Sequence, residues 1–126
     1  MDYKIRKLEK KEDERGWLAE IIRSDEVGPF NQVHIVCFKS GQTRAQHYHK
    51  NRKEWFYVAD GTAMFKLKDI NTGETNDIKI GKEDFLVLEI SKNIWHEIKN
   101  IGESNLMIVS ATSDTYDKNN SDTYKL

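Results

Sequence analysis

Two histidines and a glutamate stand close together between two glycines in the segment "GQTRAQHYHKNRKEWFYVADG", residues 41–61. His47 and His49 are two residues apart, so in a β-strand both side chains point to the same face. Glu54 follows five residues later, and His96 lies in a later apolar run, "IWHEIKN". Three imidazoles and one carboxylate suit a divalent metal, with zinc as first choice and Mn, Fe, Ni or Co as alternatives. The set indicates a catalytic metal site, although a histidine considered alone would indicate a polar surface or hydrogen-bonded core residue.

Short apolar runs, rich in β-branched and aromatic residues, alternate with turn signals along the chain. Runs such as "QVHIVCF", "EWFYVA" and "FLVLEI" end at clusters of Asn, Asp, Gly or Ser. No stretch of helical length keeps a 3.6-residue period. In "DINTGET", the clearest hairpin turn, Gly73 would supply the positive φ that a tight connection needs. The sequence therefore predicts an all-β sandwich or barrel with roughly eight to ten strands.

The composition predicts one domain over residues 1–126, since the chain is 37% hydrophobic, 33% charged and carries a net charge of −1. This balance gives no overall field that would favour nucleic acid or an anionic membrane. No apolar run approaches the roughly 20 residues of a membrane span, and the N-terminus lacks the apolar segment of a signal peptide, so a cytoplasmic location is expected. Cys37 is the only cysteine, and its apolar neighbours predict a buried side chain.

The spacing of residues 41–61 resembles the first motif of the cupin family, which reads Gly, five residues, His-x-His, four residues, Glu, six residues, Gly. His96 and Asn100 match the histidine and asparagine of the second cupin motif, where Ser91 and Asn93 replace the usual proline and glycine. Asn93 tolerates the left-handed conformation that a glycine would adopt there. The resemblance implies a double-stranded β-helix (jelly-roll) fold. It also implies a metal held by His47, His49, Glu54 and His96.

Two further stretches, "DERGWLAEI" and "QVHIVCFKSGQTRAQHYH", resemble runs of the dTDP-4-dehydrorhamnose 3,5-epimerase family. That likeness implies nucleotide-sugar contacts from Arg15, Glu20, Gln32 and Arg44. It also implies that His47 is a proton-abstracting base, because this epimerase family works without a metal. The lysine and glutamine of the epimerases fall at Glu54 and His49 here, and the complete ligand set favours a metal-binding His47.

The run "RAQHYHK" is also similar to a run of the sugar 3,4-ketoisomerases. The H-x-H motif, the glutamate and the tail "TYDKNNSDTY" together resemble the C-terminal cupin domain of CapF-type capsular polysaccharide enzymes. This resemblance implies that the tail, residues 113–126, is ordered. Members of these families pair or exchange N-terminal strands, so a homodimer with residues 1–30 at its interface is expected.

The resemblance implies a metal-dependent epimerase or isomerase that acts on a nucleotide-linked 4-keto-6-deoxy sugar through an enolate, in surface polysaccharide biosynthesis. If His47 binds the metal, His34 is the first candidate base, because it shares a predicted strand face with Gln32. Tyr57 and Tyr116 are candidate acids for the opposite side of the sugar. The alternatives are a non-catalytic cupin that binds a sugar nucleotide and a metal-dependent cupin oxygenase.

Two pairs of residues near the histidines have both a structural and a functional interpretation. Trp55 and Trp95 are expected to pack in the barrel rather than to stack on a sugar or base. Lys50 and Arg52 are expected to be solvent-exposed charges rather than phosphate contacts.

Overall fold

The computed structural model describes residues 1–115 and 117–126, which form two antiparallel β-sheets packed against each other. This architecture confirms the all-β jelly-roll prediction. The strands are β1 (Tyr3–Lys7), β2 (Lys11–Asp13), β3 (Gly16–Leu18), β4 (Gln32–Phe38), β5 (Thr43–His47), β6 (Glu54–Asp60), β7 (Thr62–Asp69), β8 (Thr75–Gly81), β9 (Leu86–Ile90), β10 (Ile94–Asn100) and β11 (Leu106–Thr112). A four-residue helix, α1 (Ser24–Val27), and a 3-10 turn, Lys82–Asp84, complete the described elements.

The larger sheet has the strand order β1-β9-β6-β11-β4, and the smaller has the order β5-β10-β7-β8. Strands β2 and β3 form a separate hairpin. Because β5 and β6 lie in different sheets, as do β9 and β10, the chain crosses between the sheets in the manner of a jelly roll. The very short β2 and β3 bring the described strands to eleven, slightly more than the sequence predicted. No described helix is long and apolar enough to cross a membrane.

The main core lies between the two sheets and is made of inward-facing residues from both. Phe56, Leu88 and Ile108 come from the larger sheet, and Phe65 and Ile94 come from the smaller. Burying each such side chain contributes about 1.5–3 kcal/mol. The alternation of apolar and polar residues that predicted the strands therefore also determines which side chains fill the core.

Three turns depend on left-handed backbone. Gly73 has φ of 79° in the β7–β8 hairpin, and Asn93 has φ of 63°, so both predictions are confirmed. Gly61, between β6 and β7, has φ of 85°, and a Cβ atom there would lie 2.8 Å from the carbonyl oxygen of Asn105. The last glycine of the first cupin motif is therefore required both by its conformation and by a close backbone approach.

The outer face of the larger sheet is only partly covered. Trp55, Val87 and Ala111 are buried there beneath apolar side chains of the N-terminal segment, namely Leu8, Ile21, Ile22, Val27 and Phe30. That cover does not extend to the edge strand β4, where Ile35 is 63% exposed. Cys37 lies on the same outer face and is exposed, so the prediction of a buried thiol was wrong. Its neighbours are apolar, but at this edge no described element packs over them.

Candidate metal centre and active site

The four predicted metal ligands come together between the two sheets. His47 ends β5, His49 lies in the following loop, Glu54 begins β6 and His96 lies in β10. One ligand atom from each of the four side chains lies within 4.8 Å of the others. His47 and His96 are direct partners in the β5–β10 ladder, with ring centroids 4.9 Å apart. The spacing in the first motif thus supplies three ligands, and the neighbouring strand supplies the fourth.

A β-bulge in β5 sets the direction of the His47 side chain. Ala45 and Gln46 have φ of 73° and 61°, and the β5–β10 register shifts at this point. Left-handed backbone costs an L-residue about 1–2 kcal/mol, so this conformation must be maintained by the surrounding structure. The extra residue lets both Arg44 and His47, three positions apart, line the same cavity. Strict alternation along a regular strand would have placed them on opposite faces.

Two imidazoles are fixed in one tautomer by backbone carbonyls. Nδ1 of His49 lies 2.7 Å from the carbonyl oxygen of Asp122, and Nδ1 of His96 lies 3.1 Å from that of Ile94. Because a carbonyl oxygen only accepts hydrogen bonds, each Nδ1 must be the donor. In a neutral ring, Nε2 then keeps its lone pair. Both rings therefore present an unprotonated nitrogen, the form that can bind a metal, on the side away from those carbonyls.

These two nitrogens converge on one carboxylate oxygen. Nε2 of His96 lies 3.3 Å from Oε1 of Glu54, and Nε2 of His49 contacts the same oxygen directly. Oε1 is buried and accepts no hydrogen bond from any described residue. Lone pairs facing each other in a buried space repel unless a proton or a cation lies between them. The donor set and this orphaned oxygen fit a divalent metal.

The ionisation states also suit metal ligands. Burial opposes the negative charge of Glu54, but hydrogen bonds from the His49 and His96 rings, when each carries a proton on Nε2, outweigh burial and hold the pKa of the carboxyl well below its ordinary value. Burial, together with the charges of His96 and His49, lowers the pKa of His47 to about 4. At neutral pH the centre therefore offers a carboxylate and a neutral His47, the forms that bind metal ions.

A cavity of about 200 Å³ opens against this centre. His34 from β4 and Arg44 from β5 face it, and the Arg44 guanidinium lies 5.6 Å from the Phe38 ring centroid. Ser110 from β11, directly opposite His34 in the ladder, also lines it. Ser110 is 1% exposed, and its hydroxyl has no partner among the described residues. Sequence reasoning missed Ser110, although its even spacing from the core residue Ile108 would have placed it on the inner face.

The sequence matches the family model described as the Polysaccharide biosynthesis C-terminal domain over residues 11–124. The chain belongs to this family. A curated relative is the UDP-2-acetamido-2,6-beta-L-arabino-hexul-4-ose reductase of Pseudomonas aeruginosa, which is 30% identical over 89% of this chain but only 29% of the relative. The spore coat polysaccharide biosynthesis protein SpsL of Bacillus subtilis is also 30% identical, over 94% of this chain and 83% of the relative.

Solved structures agree with the family assignment. A 3,4-ketoisomerase from Helicobacter canadensis superposes with a TM-score of 0.86 and 25% identity, covering 100% of this chain and 92% of that one. The capsular polysaccharide assembling protein CapF from Staphylococcus aureus gives a TM-score of 0.74 and 26% identity, covering 94% of this chain and 32% of that one. These matches confirm the resemblance to the cupins, the CapF-type domain and the ketoisomerases.

The structure does not bring every predicted residue of this family member to the cavity. Tyr57 is an odd number of positions from Glu54 in β6, so it lies on the opposite face of the sheet, where its ring contacts Phe85 at 6.2 Å. The prediction that it serves as an acid in this cavity was therefore wrong. Tyr116 falls outside the described residues. Gln32 begins β4 opposite Thr112, two positions before His34 on the same strand.

The two N-terminal residues expected to contact a nucleotide also lie outside the cavity lining. Arg15, in the turn of the β2–β3 hairpin, binds Asp13 at 2.6 Å. Glu20 binds Arg23 at 3.1 Å, and all four of these side chains are exposed. Within one chain, the N-terminal segment packs on the outer face of the larger sheet instead.

The two tryptophans and the two basic residues near the centre differ in how far they are exposed to solvent. Trp55 is buried and its Nε1 donates to Glu89 at 2.7 Å, which confirms a packing role. Trp95 is half-buried in β10, and Lys50 is exposed. Arg52 was expected to be exposed as well, but it is only 8% exposed because residues from the C-terminal tail cover it. Sequence proximity gave no sign of that long-range contact.

Proposed function

We propose that this chain is a metal-dependent epimerase or isomerase that acts on a nucleotide-linked 4-keto-6-deoxy sugar in surface polysaccharide biosynthesis. The observation that carries the proposal is the convergence of three imidazoles and Glu54 at a cavity that His34 also faces. Similarity to a 3,4-ketoisomerase and to a spore coat polysaccharide biosynthesis protein supports the substrate class. Because the chain spans 29% of the length of the reductase relative, that protein's reductase activity is not carried over.

His47, His49, Glu54 and His96 are the residues that would hold the metal, preferably zinc, with Mn, Fe, Ni or Co as alternatives. A bound divalent ion would supply positive charge that stabilises an enolate. If His47 holds the metal, its lone pair would be unavailable for proton abstraction, so another residue would serve as the base.

His34 is then the group that moves the proton. Its imidazole faces the cavity from β4 and is exposed, so it can exchange protons with solvent as well as with a bound sugar. The proton at C3 is acidic because C3 lies next to the C4 carbonyl. Its removal by His34 leaves an enolate. Return of a proton to C3 from the opposite side gives the C3 epimer. Transfer of the C3 hydroxyl proton to O4, together with return of a proton to C4, gives the 3,4-ketoisomer.

Arg44 is the group that would hold the anionic part of the substrate. Arg44 directly precedes the bulge in β5 and lines the cavity. Its guanidinium can bind a diphosphate or a sugar oxygen in a bidentate manner. Gln32 begins β4, two positions before His34 and in line with it, and would contact the sugar. Arg15 and Glu20 do not line the cavity of their own chain and would instead contact a nucleotide at the cavity of a second copy. The proposal therefore includes a homodimer with residues 1–30 at its interface.

Deuterium exchange tests the proposed function. The zinc-loaded protein is incubated in D2O with UDP- and TDP-linked 4-keto-6-deoxy sugars, and the C3 proton is followed by NMR. We expect deuterium at C3, no exchange after the metal is removed, and a loss of exchange of about 10²–10⁴-fold in His34→Asn. Cys37→Ser, on the outer face of the same strand, is the matched control and should exchange at the wild-type rate.

The possible outcomes separate the alternative functions. Exchange with inversion at C3 identifies an epimerase, and a hydroxyl at C4 with a ketone at C3 identifies a ketoisomerase. Binding of these sugars without exchange, in metal-loaded protein, would support a non-catalytic sugar-nucleotide-binding cupin instead. Consumption of O2 that depends on added iron would support an oxygenase.

A further inference from the structure

The loop that carries the second histidine is held by residues from the far end of the chain. We call residues 48–53 the histidine loop and residues 121–124 the C-terminal clamp. The Asp122 carboxylate accepts hydrogen bonds from the backbone N–H of Lys50 at 2.9 Å and of Asn51 at 3.0 Å. The side-chain amide of Asn51 donates to the same carboxylate at 3.3 Å. One side chain therefore satisfies successive donors of the histidine loop.

The backbone of Asp122 acts on the metal ligand itself. Its carbonyl oxygen accepts the Nδ1 hydrogen of His49 at 2.7 Å, while its side chain holds the two residues after His49. Asp122 has φ of 48°, a left-handed conformation that Asp adopts more readily than most residues. The carboxylate and the carbonyl of one residue thus fix the loop and the ring together.

Flanking contacts keep the C-terminal clamp in register. Tyr48 and Tyr124 exchange two backbone hydrogen bonds of 2.9 and 3.0 Å, and their rings lie 5.5 Å apart. Lys50 lies over the Tyr124 ring with its Nζ 4.1 Å from the centroid. The Arg52 guanidinium reaches the Thr123 hydroxyl at 3.5 Å. A shift of Asp122 relative to His49 would therefore break several contacts at once.

We propose that Asp122 is the positioning residue of His49, and that the C-terminal clamp sets the direction in which the metal-binding nitrogen points. Because the Nδ1 hydrogen is bonded to the Asp122 carbonyl, the proton stays on Nδ1 and the plane of the ring is fixed. Nε2 then faces Glu54. Hydrogen bonds of this kind to the second ring nitrogen orient metal-bound histidines and raise their basicity. The inference rests on the proposed function, because it takes the four-residue cluster as a metal site.

The test uses the full chain with three substitutions. Asp122→Gly removes the carboxylate but accepts the left-handed backbone without strain. Asp122→Asn keeps one side-chain acceptor and the same backbone preference, so it should hold the histidine loop better than Asp122→Gly does. Asp117→Ala is the control, because Asp117 is exposed in the same tail and its carboxylate accepts a local hydrogen bond from the backbone N–H of Asn119.

The first measurement needs no metal. In metal-free protein labelled with ¹⁵N-histidine, we expect the wild-type His49 ring to carry its proton on Nδ1. In Asp122→Gly the carbonyl of residue 122 remains but is no longer held in register by the carboxylate, so this preference should weaken. The amides of Lys50 and Asn51 should exchange with solvent about tenfold faster or more in Asp122→Gly. His96, whose Nδ1 binds Ile94 instead, should be unchanged and so distinguishes a local effect from general unfolding.

The second measurement is zinc affinity by competition with a chelator. We expect Asp122→Gly to bind zinc about 10–100-fold more weakly than wild type, Asp122→Asn to be intermediate and Asp117→Ala to match wild type. If Asp122→Gly keeps both the Nδ1 proton and the wild-type zinc affinity, the positioning role is overturned. If wild type binds none of zinc, Mn, Fe, Ni or Co, yet Asp122→Gly alters the His49 tautomer, the positioning role stands and the proposed metal-dependent function fails.

Discussion

The backbone N–H of Asn93 donates a hydrogen bond to the carbonyl oxygen of His49, with 2.7 Å between nitrogen and oxygen. Asn93 occupies the turn before β10, where the second cupin motif usually has glycine, and its φ of 63° directs the N–H toward the histidine loop. The turn of the second motif therefore supports a ligand of the first motif. The clamp holds the same histidine through its ring.

This relationship predicts a graded response at position 93. Asn93→Gly should be neutral within about 0.5 kcal/mol, because glycine adopts left-handed backbone freely. Asn93→Val should lower the free energy of unfolding by about 2 kcal/mol, since a β-branched residue is strained there. Urea denaturation followed by circular dichroism measures both changes. Equal stability of the two variants would show that the left-handed turn is not maintained in solution.

The cluster predicts binding of one divalent ion per chain that depends on Glu54. Glu54→Gln keeps the shape of the side chain but removes the negative charge, so zinc affinity should fall by more than the roughly 10–100-fold that loss of an outer hydrogen-bond partner causes. Metal analysis after dialysis measures the zinc content, and isothermal titration calorimetry measures the zinc affinity. Glu89→Gln is the control, because Glu89 is on the neighbouring strand and binds Trp55 instead. Unaltered zinc binding by Glu54→Gln would remove Glu54 from the ligand set.

Gly61 should be less replaceable than Gly73. Alanine at either position pays about 1–2 kcal/mol for left-handed backbone. At Gly61 the new methyl group would also meet the Asn105 carbonyl at 2.8 Å, whereas at Gly73 nothing lies within 4 Å. Gly61→Ala should therefore lose at least about 1 kcal/mol more than Gly73→Ala in chemical denaturation. Similar losses in both variants would mean that the β6–β7 turn relaxes easily.

Ser110→Ala should leave the fold as stable as wild type or more stable, by up to about 1 kcal/mol, because it removes a buried hydroxyl that has no described protein partner. Thr112→Ala is the comparison, since the Thr112 hydroxyl donates to the Asp114 carbonyl at 2.6 Å and its removal should destabilise. Thermal unfolding measures the stability of the two variants relative to wild type. A clear loss of stability in Ser110→Ala would show that the hydroxyl is already paired in the free protein.

The β2–β3 hairpin should take part in dimerisation. Trp17 is 54% exposed and Leu18 is 58% exposed, so both present apolar surface that a second copy could cover. We expect wild type to sediment as a dimer and Leu18→Lys to shift toward monomer while keeping its circular dichroism spectrum. Leu126→Lys, at an exposed leucine in the tail, is the control. A monomeric wild type at micromolar concentration would rule out this interface.

The sequence allowed the fold and the clustering of the four candidate ligands to be predicted, because both depend largely on the spacing of residues along the strands. Strand alternation determines which residues face the core, and the motif places His47, His49 and Glu54 on adjoining elements. The same alternation explains the error at Tyr57. Tyr57 lies three positions from Glu54 in β6, so its side chain is on the opposite face of the sheet from Glu54.

The remaining errors come from contacts between distant segments. Arg52 is buried because residues some seventy positions later fold over it, as the contact with Thr123 shows. Cys37 is exposed because no described element covers the outer side of β4. Neither the presence of a cover nor its absence is encoded near the residue concerned, so composition and periodicity could not reveal it.

The bulge at Ala45 and Gln46 has a consequence for the shape of this strand. Deleting one residue between Arg44 and His47 would restore an ordinary ladder with β10 and relieve two left-handed residues. Arg44 and His47 would then stand two positions apart in a regular strand, so both side chains would still point to the same face. The extra residue therefore changes the local twist of β5 and the direction in which His47 points, rather than the face on which His47 lies.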